Sequence, residues 1–164
     1  RVLGMPYPGG SAVDKAAQQG DPNKYQLPRS KPGENPYNMS FSGLKTAALN
    51  LIHHAQQVGE ELDIPSLCAS FSTAVSGMLI PRAQLALEKT GLRTLVLAGG
   101  VAANSHLRNA LEKLCKERGV RLAMPERGLC GDNGAMIAAA GYFRFLDGVF
   151  ADTSLNASAS DDGL

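Results

Sequence analysis

Between residues 94 and 124 an apolar run, an amphipathic stretch and a second apolar run follow one another, with glycines at the joints, and that order sets the fold class. Thr94, Leu95, Val96, Leu97 and Ala98 form a short, near-continuous apolar segment, which predicts a buried strand of a parallel sheet. Asn104 then opens a helix to about residue 118, with Leu107, Leu111 and Leu114 on one face, and Gly119 stops it. Residues 120–124 read as a second strand. A strand, a helix and a strand in this order make a right-handed crossover, so the chain is α/β. Two strands fall short of a self-sufficient sheet, which needs three or more with packing. The sheet is therefore expected to be incomplete. The chain, opening at Arg1 into a loop-like stretch, reads as the C-terminal piece of a longer protein, with a processed or trimmed domain as the alternative.

The rest of the sequence is richer in helix. Residues 4–10 are rich in Gly and Pro and predict a turn. Ser11 is placed to cap a short helix over about residues 12–19, with Gly20 as its stop. Pro22, Pro28, Pro32, Gly33 and Pro36 predict a long irregular loop over 20–38, a kind of segment that is uncommon in compact domains and often functional. A short extended stretch is expected at 38–41. Ser42 then caps a helix over about 43–58, where Leu44, Ala47, Ala48, Leu51 and Ala55 recur at helical spacing. Pro65 suits the first turn of the next helix, which runs through Leu67, Phe71, Val75 and Met78. Pro81 lacks an amide donor and is expected to kink or break it, with a second piece ending at Gly91. Asp132 or Asn133 begins a last helix to about Leu146. The tail from Asp147, rich in Ser, Asp, Asn and Ala, is expected to be flexible.

Composition excludes several classes. Hydrophobic residues make up 44% of the 164, within the globular range. A formal net charge of +1 gives no global case for a nucleic-acid or membrane partner. No apolar run approaches the roughly 18 residues that a membrane span needs, and the stretch from Arg1 does not read as a signal peptide. Cys68, Cys115 and Cys130 form no CxxC pair and read as reduced thiols of an intracellular protein.

Two Gly-rich junctions carry the chemistry. In the first, Gly99 and Gly100 follow the strand and Asn104 starts the helix. Bare glycine backbone admits a ligand closely, and this turn lies at the carboxyl edge of the strand, where open α/β folds bind ligands. Asn104 is either a plain helix cap or a partner for a ligand hydroxyl. In the second, Cys130, Gly131, Asp132, Asn133 and Gly134 lead into the last helix. A carboxylate there is stabilised by the helix dipole whether or not it binds anything, and a metal site would need further ligands. His53 and His54 are adjacent, so they do not chelate as an i, i+4 pair would, and His106 beside the Asn104 turn is a single histidine. Tyr7-Pro8-Gly9-Gly10 with Asp14 offers backbone and a carboxylate to a ribose, or is simply a capped surface helix. Ser40 to Thr46, with Gly43 and Lys45, resembles an anion-binding helix start but lacks the P-loop spacing; a capped helix with Phe41 as a hydrophobic staple explains it equally. Lys15, Lys24, Arg29, Lys31 and Lys45 lie in or beside the long loop, either as a scattered solvated set or as contacts to RNA phosphates.

Taken in order, Tyr7-Pro8-Gly9-Gly10, Phe41-Ser42-Gly43-Leu44-Lys45-Thr46, Ala98 to Asn104 and Cys130 to Ile137 resemble the TsaD (YgjD, Gcp) family of tRNA N6-adenosine threonylcarbamoyltransferases, in its bacterial or organellar form. The resemblance implies an actin-like ATPase (ribonuclease H-like) fold, with residues 1–147 as the C-terminal portion of a TsaD-like domain and 148–164 as a flexible tail. It implies transfer of threonylcarbamoyl from threonylcarbamoyl-adenylate to N6 of adenosine 37 in tRNAs that read codons beginning with A. Gly10, Asp14 and Asn104 would hold the adenylate, and Asp132 would be one ligand of a divalent iron or zinc ion. The family's other ligands, an HxxxH helix, and its Ser-Gly-Gly-His-Thr hairpin have no counterpart here. The catalytic residues are left unassigned.

The implied partners are tRNA and TsaB-like and TsaE-like proteins, with no membrane partner. The implied location is cytoplasmic, or an organellar matrix in a eukaryote. Gly131 stands where the family usually has Thr, and Pro81 interrupts a helix that the family usually keeps continuous. Two other readings compete. A sugar or acetate kinase-like member of the fold class explains Gly99-Gly100 but not the other motifs together. A nucleotide-binding scaffold paralogue would lack catalysis. The family's older description as a glycoprotein endopeptidase finds no nucleophile–base arrangement here.

Overall fold

The crossover is present in the computed structural model, which describes residues 2–30 and 35–156. β1 (Thr94–Val96) pairs in parallel with β2 (Arg121–Ala123), with Leu95 opposite Leu122. The intervening α4 (Ser105–Arg118) turns Leu107, Leu111 and Leu114 onto the sheet. Leu95, Leu97 and Leu122 join that cluster, whereas Val96, on the alternate face of β1, is 70% exposed. The expectation of a buried strand is thus corrected. One face of the two-stranded sheet is covered and the other is open, and each strand keeps only three residues.

Among the described residues three helices precede the sheet: α1 (Gly9–Ala17), α2 (Ser42–Val58) and α3 (Ile64–Thr90). α3 is the spine. Its first turns, with Cys68 and Ala69, pack on Ala17 of α1. Its middle, Ala74 and Met78, packs on Leu44 of α2. Its end, through Leu87, joins the α4 cluster. Pro81 does not break it. The lost amide bond costs about 3 kcal/mol, but Leu79 and Ile80 before the proline and Ala83 and Leu87 after it pack on the same cluster. Arg82, 8% exposed, also bonds the Met78 carbonyl at 2.7 Å and the Asn38 carbonyl at 2.8 and 3.0 Å. Over an 18-residue window α3 is long and apolar enough by length and composition to cross a membrane, contrary to the reading of the apolar runs. Half of that window is buried within the fold, so its apolar character serves the core.

Several helix starts and stops differ from expectation. α1 begins at Gly9 with Pro8 as its cap, and the Ser11 hydroxyl donates to the Pro8 carbonyl at 2.9 Å instead of capping. α1 ends at Ala17, and Gly20 is not left-handed. Gly20 is needed because a Cβ there would lie 2.1 Å from the Pro65 backbone, where α3 begins. Phe41, not Ser42, is the cap residue of α2, and no side chain caps it. The stretch 38–41 forms no strand; Asn38 is held by Arg82 instead.

The long loop is irregular yet ordered along α3. The Asp21 amide donates to Ser66 Oγ at 3.0 Å, Tyr25 N to Ser70 Oγ at 3.2 Å and Ser30 N to Met78 Sδ at 3.1 Å. Four residues of loop thus answer four of helix at the first step, which gives the buried Ser66 and Ser70 of α3 their partners. Lys31, Pro32 and Gly33 lie outside the described residues.

Asp63 anchors the start of this strap. It caps α3 through Ser66 N at 3.1 Å and pairs with Lys24 at 2.9 Å. The hydrogen bond from Lys24, then those from Ser66, hold its carboxyl down at about 2. A depressed carboxylate stabilises the fold above the unfolded value of about 4 and loses that contribution as pH falls toward the folded value. Carbon NMR of the Asp63 carboxyl is therefore expected to show a midpoint near 2, and strap amides Asp21 and Tyr25 should lose exchange protection between pH 4 and 2. A midpoint at the ordinary value would remove the ion pair from the account.

The three cysteines are free and buried, as expected of unpaired thiols, and burial pushes the Cys68 and Cys115 thiols up.

Contacts divide the chain into two units, Arg1–Cys130 and Gly131–Leu164. The second is built on α5 (Gly134–Leu146), capped by Asn133, whose side chain accepts from Met136 N at 2.9 Å. Asn133 rather than Asp132 starts this helix. Val149 N bonds back to the Arg144 carbonyl at 2.9 Å and Phe150 meets Phe145 edge-on, so the first residues after α5 fold back on it. Residues 157–164 of the expected tail lie outside the described ones.

Candidate functional site

The first junction is a tight, well-bonded turn. After β1, Leu97 N still bonds the Ala123 carbonyl at 2.9 Å. Gly99 then takes φ 86, a left-handed region that a side chain would strain. A single 3-10 turn, Gly100–Ala103, follows, and its Ala102 is fully buried. Asn104 is extended, and its side chain accepts from Leu107 N at 2.9 Å. The alternative left open for Asn104 is resolved in favour of a cap on its oxygen side.

Asp14 reaches this turn from α1. Its Oδ1 accepts the Ser105 amide and its Oδ2 the Ser105 hydroxyl, each at 2.7 Å, and Gln18 Nε2 adds a longer contact at 3.4 Å. The carboxylate thus meets two donors at the N-terminus of α4, where amides lack helical partners and negative charge is favoured. Two of its roughly four lone-pair sites are taken by Ser105. Gly10 lies one helical turn before Asp14 on α1 and is exposed, with open space where a Cβ would stand. Asp14 and Asn104, chosen from separate motifs, are therefore joined through Ser105.

Arg108 was missed. It is 9% exposed, and its guanidinium donates to the Ala102 carbonyl at 2.6 Å, to the Pro125 carbonyl and to Cys130 Sγ at 3.4 Å. One side chain thereby ties the Gly99-Gly100 turn to the segment after β2. In the sequence it reads as one more cation on an exposed helix face. Its only signal is that it stands one residue after Leu107 and four after the cap.

Asp132 belongs to the second unit. It is exposed, and Asn133 has taken the capping role from it, so its carboxylate is not spent on the helix start. No group of three or more His, Cys, Asp or Glu that could hold a metal ion occurs among the described residues. His53 and His54 are exposed on α2, and His106 is half-buried next to Ser105.

These features stand among clear relatives. The model of the family described as TsaD: tRNA N6-adenosine threonylcarbamoyltransferase matches residues 1–139. The protein of that name from Moorella thermoacetica is 46% identical over 157 residues, 96% of this chain and 46% of the relative. Those of Desulfitobacterium hafniense and Synechococcus sp. (strain JA-3-3Ab) are 45% and 46% identical, covering 96% and 90% of this chain. The chain spans about half the length of the curated relatives it matches. With four motifs in order and matches of this extent, the chain belongs to the TsaD family of tRNA N6-adenosine threonylcarbamoyltransferases.

Proposed function

We propose that this chain forms the adenylate-holding part of a threonylcarbamoyltransferase with an actin-like ATPase (ribonuclease H-like) fold. The activity transfers threonylcarbamoyl from threonylcarbamoyl-adenylate to N6 of adenosine 37 in tRNAs that read codons beginning with A. The observation that carries the reading is the Asp14–Ser105 clasp beside Asn104, at 2.7 Å for both bonds. It supports Gly10, Asp14 and Asn104 as one binding group around the Gly99-Gly100 turn.

In this reading the bare backbone at Gly10 admits the ribose. Asp14 accepts a ribose hydroxyl with its remaining lone pairs, and the Asn104 amide nitrogen donates to the nucleotide while its oxygen caps α4. The described residues do not hold a metal ion by themselves. Asp132 is proposed as a single ligand of an iron or zinc ion whose histidine ligands are not in this sequence. Such an ion, when bound, polarises the carbamoyl group as a Lewis acid. TsaB-like and TsaE-like partners and a cytoplasmic or organellar-matrix location complete the proposal.

The test is formation of the modified base on a tRNA transcript with threonylcarbamoyl-adenylate supplied. The chain is assayed alone and joined to the unmatched half of a relative. The chain alone is expected to give no product. In the joined protein, Asp14→Ala and Asn104→Ala are expected to raise KM for the adenylate, and Asp132→Ala to lower kcat, each by about tenfold or more, the effect of roughly 1.4 kcal/mol. Product from the chain alone, or three variants with unchanged kinetics, would overturn the assignment.

A further inference from the structure

The strap and α3 form a half-open pocket of about 300 Å³, apart from the clasp at Asp14. Asn23, Tyr25, Gln26 and Arg29 line it from the strap, and Ser70 and Thr73 from α3. No carboxylate is among its lining residues. The neighbouring acids are already engaged: Asp63 pairs with Lys24 at 2.9 Å, and Asp21 Oδ1 accepts Asn23 N at 2.8 Å. Arg29 has no carboxylate partner among the described residues, whose ion pairs are Lys24–Asp63 and Arg118–Glu88.

Arg29 also has a seat. Its guanidinium lies across the backbone of α3 at Gly77, where a Cβ would come within 2.8 Å of Cζ and Nε. The planar fork of an arginine suits a phosphate through paired hydrogen bonds, and side-chain amides and hydroxyls beside it add donors.

We propose that this cavity is a phosphate subsite for RNA, with Arg29, seated on Gly77, as its anion-binding group. The choice of RNA rests on the transferase reading above; the site itself rests on the cavity. It gives the long loop, ordered by the serines of α3, a binding role separate from the adenylate group.

The probe is a fluorescently labelled, unmodified tRNA transcript, titrated by anisotropy with the 164-residue chain across a salt series. Arg29→Gln is expected to weaken binding about three- to tenfold and to reduce the log–log salt slope by about one. Gly77→Ala keeps every charge and adds a better helix former. It displaces only the end of the Arg29 side chain, so the fold should persist by circular dichroism while affinity drops by about threefold or more. Unchanged affinity in either variant overturns the proposal, as does a wild-type chain without measurable tRNA binding. If inorganic phosphate shifts the amide signals of Asn23 and Thr73 and tRNA does not, the site takes free phosphate and the RNA assignment fails. Intact, Arg29-dependent tRNA binding with no transferase product in the joined protein would instead remove the transferase reading and leave this subsite standing.

Discussion

Gly20→Ala is expected to destabilise the first unit by about 3 kcal/mol, the upper end of what overpacking costs. The added methyl would lie 2.1 Å from both the carbon and the oxygen of Pro65 and 2.4 Å from the Ser66 amide. All three are backbone atoms at the start of α3, where Asp63 fixes the turn through Ser66 and Asp21 is bonded to the Ser66 hydroxyl. No flexible side chain is available to move aside, in contrast to Gly77, where the neighbour is the tip of an arginine. Relief requires pulling the loop at Gly20 off α3, which breaks the first rung of the strap. Urea denaturation followed by far-ultraviolet circular dichroism measures the effect. A loss under about 1 kcal/mol would mean that the approach of Gly20 to Pro65 is looser than described.

Arg108→Met should cost a similar amount, about 3 kcal/mol, through a different route. Methionine fills much of the same volume but removes the donors that reach Ala102, Pro125 and Cys130. Hydrogen bonds from charged groups contribute about 1.5–3 kcal/mol each, and carbonyls left buried without partners add to the loss. Arg108→Lys should recover little, because an ammonium is a point charge and does not reproduce the fork that spans two separate carbonyls. The same urea measurement decides this, with Arg121→Met, on an exposed strand residue, as the control. Equal stability of Arg108→Met and the control would show that the turn is held without the guanidinium. The expected consequence at the site is a looser Gly99-Gly100 turn, since the Ala102 carbonyl that Arg108 holds belongs to the 3-10 turn beginning at Gly100.

The parts of this fold that were legible in the sequence are those whose signal is local and periodic. Leu107, Leu111 and Leu114 predicted one face of α4, and that face is buried. The apolar runs at 94–98 and 120–124 predicted a parallel pair, and it forms, shortened to three residues each because a single covered face holds it. Asn104 was legible as a cap because capping is a contact with residues three places on. What failed was decided at long range. Pro81 signals a break, yet the packing of residues on both sides of it carries α3 through. Ser42 has the right chemistry for a cap, but the helix starts at Ser42 and leaves Phe41 in the cap position. Gly20 was explained by helix termination when the close approach of Pro65 is the reason for it.

The candidate site divides in the same way. Gly10, Asp14, Asn104 and Asp132 were visible as residue types at glycine-rich helix starts. That Asp14 meets Ser105, 91 positions away, was not, because no periodicity encodes a contact between two helices so distant in sequence. Arg108 was hidden for a related reason. A buried arginine whose partners are carbonyls leaves no paired acid in the sequence to betray it.

α3 gives the first unit a particular kind of cooperativity. Its small apolar clusters hold few buried residues each, and each includes side chains from this one helix. None is an independent nucleus. Melting of α3 at any point removes a wall from the adjacent cluster, while an intact α3 keeps the strap, α1, α2 and the crossover in a common register. The Asp14–Ser105 clasp and the strap cavity at mid-helix are thereby subject to the same global opening equilibrium.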